Sequence, residues 1–229
     1  MHCNTLSLAA VALLASSVNA HGHVAKVIAG GQEYTGGIPT DNGFVEPAAF
    51  GTADIICHKS AKPVSNAVTV AAGDVVTLKW DTWPESHHGP VTEYLAPVSG
   101  DFASINKGSL RWTKVAEKGY ISGSNPGNWA SDELIRDGFA WKFTVPRNLK
   151  AGNYVLRHEI IGLHSANNNN GAQAYPQCIN LKVTGSGSQA LSGGGDFTKF
   201  YSATDPGILF NLYASFSSYQ IPGPAVQRI

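Results

Sequence analysis

Period-two alternation runs through the middle of the chain. Val76, Leu78 and Trp80 alternate with Val75, Thr77 and Lys79. Phe139, Trp141, Phe143 and Val145 alternate with Ala140, Lys142 and Thr144; Ile179, Leu181 and Val183 alternate with Asn180, Lys182 and Thr184. Successive side chains of an extended backbone point to opposite faces, so each pattern predicts a strand with one face buried and one wet. Tyr154–Ile161, Val24–Ala29 and Val91–Leu95 are further strand candidates. Turn signals punctuate them at Ala72-Gly73-Asp74, Ala151-Gly152-Asn153 and Asp205-Pro206-Gly207. No sustained 3.6-residue apolar period is present; the segment 131–135 suits one helical turn, with Ser131 as its cap. The expected fold is all-β: an immunoglobulin/fibronectin-like antiparallel β-sandwich with long loops and short helical turns. Polar, Gly/Asn-rich connections are expected over 102–130 and 165–174, and a flexible surface loop over 185–195.

The first twenty residues do not fit that pattern. Leu6 to Ala15 is an apolar run too short to cross a bilayer, and Val18-Asn19-Ala20 is a small-residue cleavage site, although the head of the segment carries no Lys or Arg. Residues 1–20 therefore read as a secretory signal, and 21–229 as one secreted, extracellular domain with no appended module. Cleavage after Ala20 would expose a free α-amine on His21. That amine and its own imidazole can close a chelate ring on a metal ion, which an internal histidine cannot do.

Charge narrows the function classes. The chain has 16 basic and 16 acidic side chains, and charged residues make up only 14%. Zero net charge gives no electrostatic basis for binding nucleic acid or an anionic membrane, and no second apolar stretch is long enough to span one. Cys3 would leave with the signal. Cys57 and Cys178 then form an even set in an oxidising compartment, which points to one disulfide, with two buried thiols as the alternative. Such a bridge would be worth about 4–5 kcal/mol in the chain-entropy model.

Histidine is the richest chemical signal. His21, His23, His58, His87, His88, His158 and His164 all follow the cleavage site, but no His-Glu-x-x-His or Cys-x-x-Cys spacing marks zinc. A histidine in a β protein is commonly a hydrogen-bonded structural residue, so local context must decide.

Four stretches supply that context: His21-Gly22-His23-Val24; Ser86-His87-His88-Gly89-Pro90-Val91; residues 154–164, ending Gly162-Leu163-His164; and Gly171-Ala172-Gln173-Ala174-Tyr175-Pro176-Gln177-Cys178. Together they resemble the fungal lytic polysaccharide monooxygenases of auxiliary activity family nine, formerly glycoside hydrolase family sixty-one. The resemblance extends to Asp54-Ile55-Ile56-Cys57-His58, Trp129-Ala130-Ser131-Asp132 and Asp205-Pro206-Gly207-Ile208, nearly the whole of 21–229.

The resemblance implies one copper ion bound by the amine and ring of His21 and the ring of His87. His87 takes the His-x-Gly-Pro register and leaves His88 the variable position. Three nitrogen donors in a plane suit tetragonal Cu(II). Tyr175 matches the family's axial tyrosine near the metal, and His164 and Gln173 match the pair that hydrogen-bonds the activated oxygen. Tyr201 and Tyr213 fall where relatives carry aromatics on a flat substrate face, though C-terminal tyrosines also pack on sandwiches. His158 and Glu159 read as buried supporting residues, His23 as pointing away from His21, and His58 as a surface residue. The stretch between Tyr34 and Asn42 is shorter than in many relatives, and residues 97–101 lack the second disulfide that some have.

The implied activity is oxidative cleavage of cellulose or a related β-linked glucan. It proceeds by hydrogen abstraction at carbon one or carbon four, with hydrogen peroxide or dioxygen as co-substrate and an external electron donor, in a monomer. A hydrolase would need two carboxylates flanking the bond, and sequence gives Glu159 no partner. A non-catalytic copper- or glucan-binding sandwich is the other rival; it would need no oxygen-positioning residues.

Overall fold

The computed structural model describes residues 22–35 and 43–229. The signal segment, His21 and most of the short Tyr34–Asn42 stretch lie outside the described residues.

Among the described residues, eleven strands build the fold: β1 (Val24–Ala29), β2 (Gln32–Thr35), β3 (Val68–Ala71), β4 (Val75–Trp80), β5 (Val91–Val98), β6 (Thr113–Lys118), β7 (Tyr120–Ser122), β8 (Asn128–Trp129), β9 (Ala140–Thr144), β10 (Gly152–Gly162) and β11 (Gln173–Thr184). The two short helices are α1 (Asp54–Cys57) and α2 (Ala130–Arg136). One sheet has the order β2-β1-β4-β9, the other β3-β11-β10-β5-β6, and β7 and β8 form a separate ribbon. The expected β-sandwich is present. One pairing departs from expectation: β3 runs parallel to β11, so the larger sheet is mixed.

The alternating patterns fall where they should. Val76, Leu78 and Trp80 are buried in β4, and Ile179, Leu181 and Val183 are buried in β11. They meet across the sandwich with Leu156, Ile160, Val24 and Val27 in one apolar cluster. Fully burying such a side chain stabilises by about 1.5–3 kcal/mol.

The larger sheet is buried on its other face as well. Val155 and Ile161 point away from the sandwich interior into a second cluster with Phe50, Ile55, Trp112, Trp129 and Phe197. Loops and single helical turns supply that cover. This explains why β10 is buried at nine consecutive positions from Tyr154 to Gly162 and does not alternate. The segment 102–130, expected as a bare connection, contributes β6 to the edge of the larger sheet and the β7–β8 ribbon to its cover. Cys57 and Cys178 form the disulfide, pinning α1 onto β11.

Two local expectations need correction. Ser131 does not cap α2. The helix begins at Ala130, the Asp132 carboxylate accepts from the Trp129 N–H at 2.8 Å, and the Ser131 hydroxyl accepts instead from the Gly89 N–H at 2.9 Å. His58 is not on the surface: it is 1% exposed, with Nε2 3.0 Å from the Gly43 carbonyl oxygen.

Candidate metal centre

The site forms at one end of the β10–β11 hairpin. Register pairs Gly162 with Gln173 and Ile160 with Tyr175. Tyr175 and Gln173 therefore share one face of β11, two residues apart, and His164 follows directly after β10. The loop after β4 brings in His87, tied to the hairpin by the Leu163 N–H, which donates to the His88 carbonyl at 2.9 Å.

The His87 and His164 rings stack with centroids 3.7 Å apart and planes 23° from parallel. Gly162 lies directly beside both rings. A Cβ there would lie 3.4 Å from His164 Nδ1 and 3.6 Å from His87 Cδ2. Ser86 Oγ lies 3.1 Å from His87 Nδ1 and orients the ring. The neighbouring His88 turns elsewhere, with Nδ1 2.7 Å from Asp132 Oδ1. The side chain of His87, not that of His88, joins the cluster.

Tyr175 is fully buried behind these rings, and its hydroxyl donates to Gln173 Oε1 at 2.6 Å. With Oε1 accepting, the Gln173 amide keeps its N–H groups as donors. Burial raises the Tyr175 pKa well above the ordinary phenol range, so the phenol stays protonated at neutral pH.

Sequence reasoning did not single out Trp83. Its ring packs edge-on against Tyr175 at 4.9 Å and His87 at 5.9 Å, and its Nε1–H donates to the His87 carbonyl at 3.0 Å. A tryptophan four residues ahead of a candidate ligand, in the same turn, was the available signal. Phe44 packs on the far side of Tyr175 at 6.1 Å.

The start of the described chain lies against the same loop. Gly22 is buried on residues 80–82, and a Cβ there would sit 1.9 Å from the Thr82 carbonyl oxygen. The His23 N–H donates to Asp81 Oδ1 at 2.9 Å, and the Asp81 N–H donates to the His23 carbonyl at 3.1 Å. The His23 ring pairs with the same aspartate, at 3.2 Å.

The two tyrosines expected on a substrate face separate. Tyr213 is 53% exposed. Tyr201 is only 6% exposed, and its hydroxyl donates to Glu159 Oε2 at 2.7 Å. The expectation of an exposed Tyr201 is corrected: the ring packs inward against Phe50 and Phe197 because its hydroxyl partners the buried carboxylate. His158 and Glu159 are both fully buried. His158 Nδ1 lies 2.8 Å from Glu93 Oε1, and Nε2 accepts from Trp80 Nε1–H at 2.9 Å.

One end of the β-sandwich thus groups two imidazoles, a phenol and an amide, a set suited to an enzyme that works with a metal. Comparisons agree. The family model for Auxiliary Activity family 9 (formerly GH61) matches residues 21–220. The chain is 58% identical to AA9 family lytic polysaccharide monooxygenase F of Malbranchea cinnamomea, over 96% of this chain and 97% of that one. It is 51% identical to AA9 family lytic polysaccharide monooxygenase H of Thermothelomyces thermophilus, over 93% and 67%. Among solved structures, the extended catalytic domain of H. jecorina LPMO9A superposes with a TM-score of 0.86 at 44% identity, covering 90% of each chain. Cel61B from Hypocrea jecorina gives 0.85 at 39%, covering 90% of this chain and all of that one.

The chain belongs to auxiliary activity family nine. It is a lytic polysaccharide monooxygenase, of a copper-dependent family that cleaves polysaccharides oxidatively.

Proposed function

We propose that residues 21–229 form a secreted, monomeric, copper-dependent enzyme that oxidatively cleaves cellulose or a related β-linked glucan at carbon one or carbon four. The observation that carries this reading is the convergence of His87, His164, Gln173 and Tyr175 at the hairpin end.

The donor set fits copper. Removal of residues 1–20 would leave His21 with an amine and an imidazole, and His87 would add a third nitrogen. With Nδ1 oriented by Ser86, His87 Nε2 is the nitrogen that would hold the metal. The packing of Gly22 on Thr82, five residues ahead of His87, supports pairing the two histidines. The protonated Tyr175 would add a neutral phenol oxygen to the residues that hold the metal. Borderline-soft nitrogen donors with a neutral phenol suit copper better than a carboxylate-preferring ion. Copper would supply one-electron chemistry with an external donor and the activation of peroxide or dioxygen.

The remaining roles belong to the chain itself. Gln173, its carbonyl engaged by Tyr175, would donate its amide N–H toward the oxidant. His164, stacked on His87, would sit beside it as the second polar partner. Trp83 and Tyr175 would keep water from the back of the site. Tyr213 would stack on sugar rings of the polymer.

Hydrolysis has no support here. Glu159 is fully buried and ion-paired to Arg157 at 2.5 Å, so it cannot flank a glycosidic bond.

The test is mass spectrometry of soluble products from cellulose, copper and a reductant. Protein beginning at His21 should release oxidised oligosaccharides; protein with one extra residue ahead of His21 should release none. Unoxidised sugars would indicate a hydrolase, and tight copper binding without products would indicate a binding protein. Replacing Gln173 with Ala should leave copper affinity nearly intact and cut turnover.

A further inference from the structure

A cavity of about 470 Å³ lies on the outer face of the larger sheet, away from His87 and His164. The Cys57–Cys178 disulfide, Val155, Ile105 and Leu110 line it. Val155 is seven residues from Gly162 along β10, which is about 23 Å of extended chain. The volume falls within the range of small-molecule sites, about 300–1,000 Å³.

The outer wall is fixed. The Asn180 side chain donates to the carbonyls of Val64 at 2.8 Å and Asn66 at 3.0 Å, holding residues 61–64 over the opening. Lys62 and Lys107 both line the cavity. Lys107 Nζ lies 3.4 Å from the His58 carbonyl. Neither lysine has a carboxylate within ion-pair distance among the described residues. Burial lowers the Lys107 pKa, with the charge of Asp54 opposing the shift. Lys107 is thus a partly desolvated cation beside an apolar chamber.

We propose that this cavity binds a small amphiphilic monocarboxylate, its apolar body against Val155 and Leu110 and its carboxylate on Lys107. The lining excludes other classes. No aromatic ring is present to stack on a sugar. No arginine fork is present to grip a phosphate, and an ammonium on a flexible stem suits a single compact charge. An apolar body contributes through the area it buries, and the half-buried ammonium sets which end enters last.

The experiment is isothermal titration of the copper-loaded protein with octanoate and hydrocinnamate, alongside their neutral amides. One saturable site is expected for the acids, with the amides about tenfold weaker. Lys107→Met keeps the stem and should weaken acid binding about tenfold while leaving amide binding and the thermal midpoint unchanged. Ala61→Trp, on the wall loop, should fill the cavity and abolish binding of all four probes. Val64→Trp, at an exposed position, provides a second block. Tighter binding of octanoate would assign an aliphatic ligand, and tighter binding of hydrocinnamate an aromatic one. The proposal is overturned if neither acid saturates, if Lys107→Met binds the acids unchanged, or if binding survives both tryptophans in folded protein. The last result would place the acid elsewhere, the metal included.

Discussion

Along β10 both faces of the larger sheet are buried, and the two are built differently. The inner face is largely aliphatic, with Leu156, Ile160, Ile179 and Leu181 meeting Val76 and Leu78 of the opposing sheet, and its buried polar pair, His158 with Glu93, is closed by the Trp80 side chain and not by a loop carbonyl. The outer face carries charge. Arg157 donates to the carbonyls of Ile55 at 2.7 Å and Ile56 at 2.8 Å, and its guanidinium lies 3.6 Å above the Phe197 ring. Its partner Glu159 accepts from Tyr201, which meets the Tyr94 hydroxyl at 3.2 Å. Lys114, 1% exposed, donates to the Pro222 carbonyl at 2.8 Å and to Glu117 at 2.7 Å. A sheet packing on a sheet satisfies its backbone groups within its own ladders and needs no buried side-chain donor for them. A face covered by loops meets unpaired carbonyls, such as those of α1, and these require buried donors.

The sharpest break in that comparison is Arg157→Met. It removes the donor but leaves Glu159 and the α1 carbonyls buried, so a loss of about 3–5 kcal/mol is expected from urea unfolding. The double variant Arg157→Met/Glu159→Leu should recover part of that loss, because an uncompensated charge costs more than an absent pair. A double variant no better than the single would show that the network serves the loops, not the charges. On the inner face, Leu156→Ala has no polar partner to strand. It should cost about 2–4 kcal/mol through transfer and cavity terms alone, and a companion substitution should not rescue it.

The same contrast explains what the sequence could reveal. β4, β9 and the C-terminal half of β11 have one buried face, so alternation exposes them, and β1 matches its expected bounds. β10 was found as a strand, but its unbroken burial gave no sign of which residues face which layer. β6, β7 and β8 lie in a stretch without period, where Trp112, Trp129 and Tyr120 pack as single anchors. The outer cover is thus written in isolated aromatics and long-range hydrogen bonds, which leave no periodic trace. For the same reason Tyr201 and His58 were read as exposed. Each is buried by a partner far away in sequence: Glu159 for Tyr201 and Gly43 for His58. The grouping of His87, His164, Gln173 and Tyr175 was legible only through the family resemblance, since spacing alone gives no metal motif. The turn of His88 toward Asp132 needed the structure.

Alkaline pH should act more on the outer layer than on the inner one, where burial raises the pKa of Tyr154 and Tyr175. Burial raises the pKa of Tyr94, Tyr201 and Tyr219 in the outer layer well above the ordinary value near 10. The unfolded chain then releases these protons first. The stabilising contribution is full below about pH 10 and is lost as pH rises toward the folded values, at about 1.4 kcal/mol per unit for each tyrosine. Lys107 and Lys114 act in the opposite sense, because burial lowers their pKa values. Their cost is present below the folded values and disappears by about pH 10.5, so the descent should be cleanest above that point. Urea midpoints should fall steadily there, and Tyr201→Phe should reduce the slope by about one tyrosine's share. An unchanged slope would mean that Tyr201 ionises as readily in the folded protein as in the unfolded chain.

Tyr213 is the smallest perturbation to the fold and the most selective one for function. At 53% exposure it keeps about half its surface in water, and its own N–H donates to Asn211 Oδ1 at 3.0 Å, a bond that a side-chain truncation leaves in place. Tyr213→Ala should therefore change unfolding free energy by only about 1 kcal/mol, less than any of the buried variants above. If its ring stacks on the polymer, the same variant should reduce retention on cellulose while leaving copper affinity unchanged. Tyr201→Ala offers the matched contrast: it strands the Glu159 carboxylate and should lower stability without a specific effect on retention in the protein that remains folded. Equal retention by Tyr213→Ala and the parent would remove this tyrosine from the substrate face. Polymer binding would then have to come from the surface around the copper ligands.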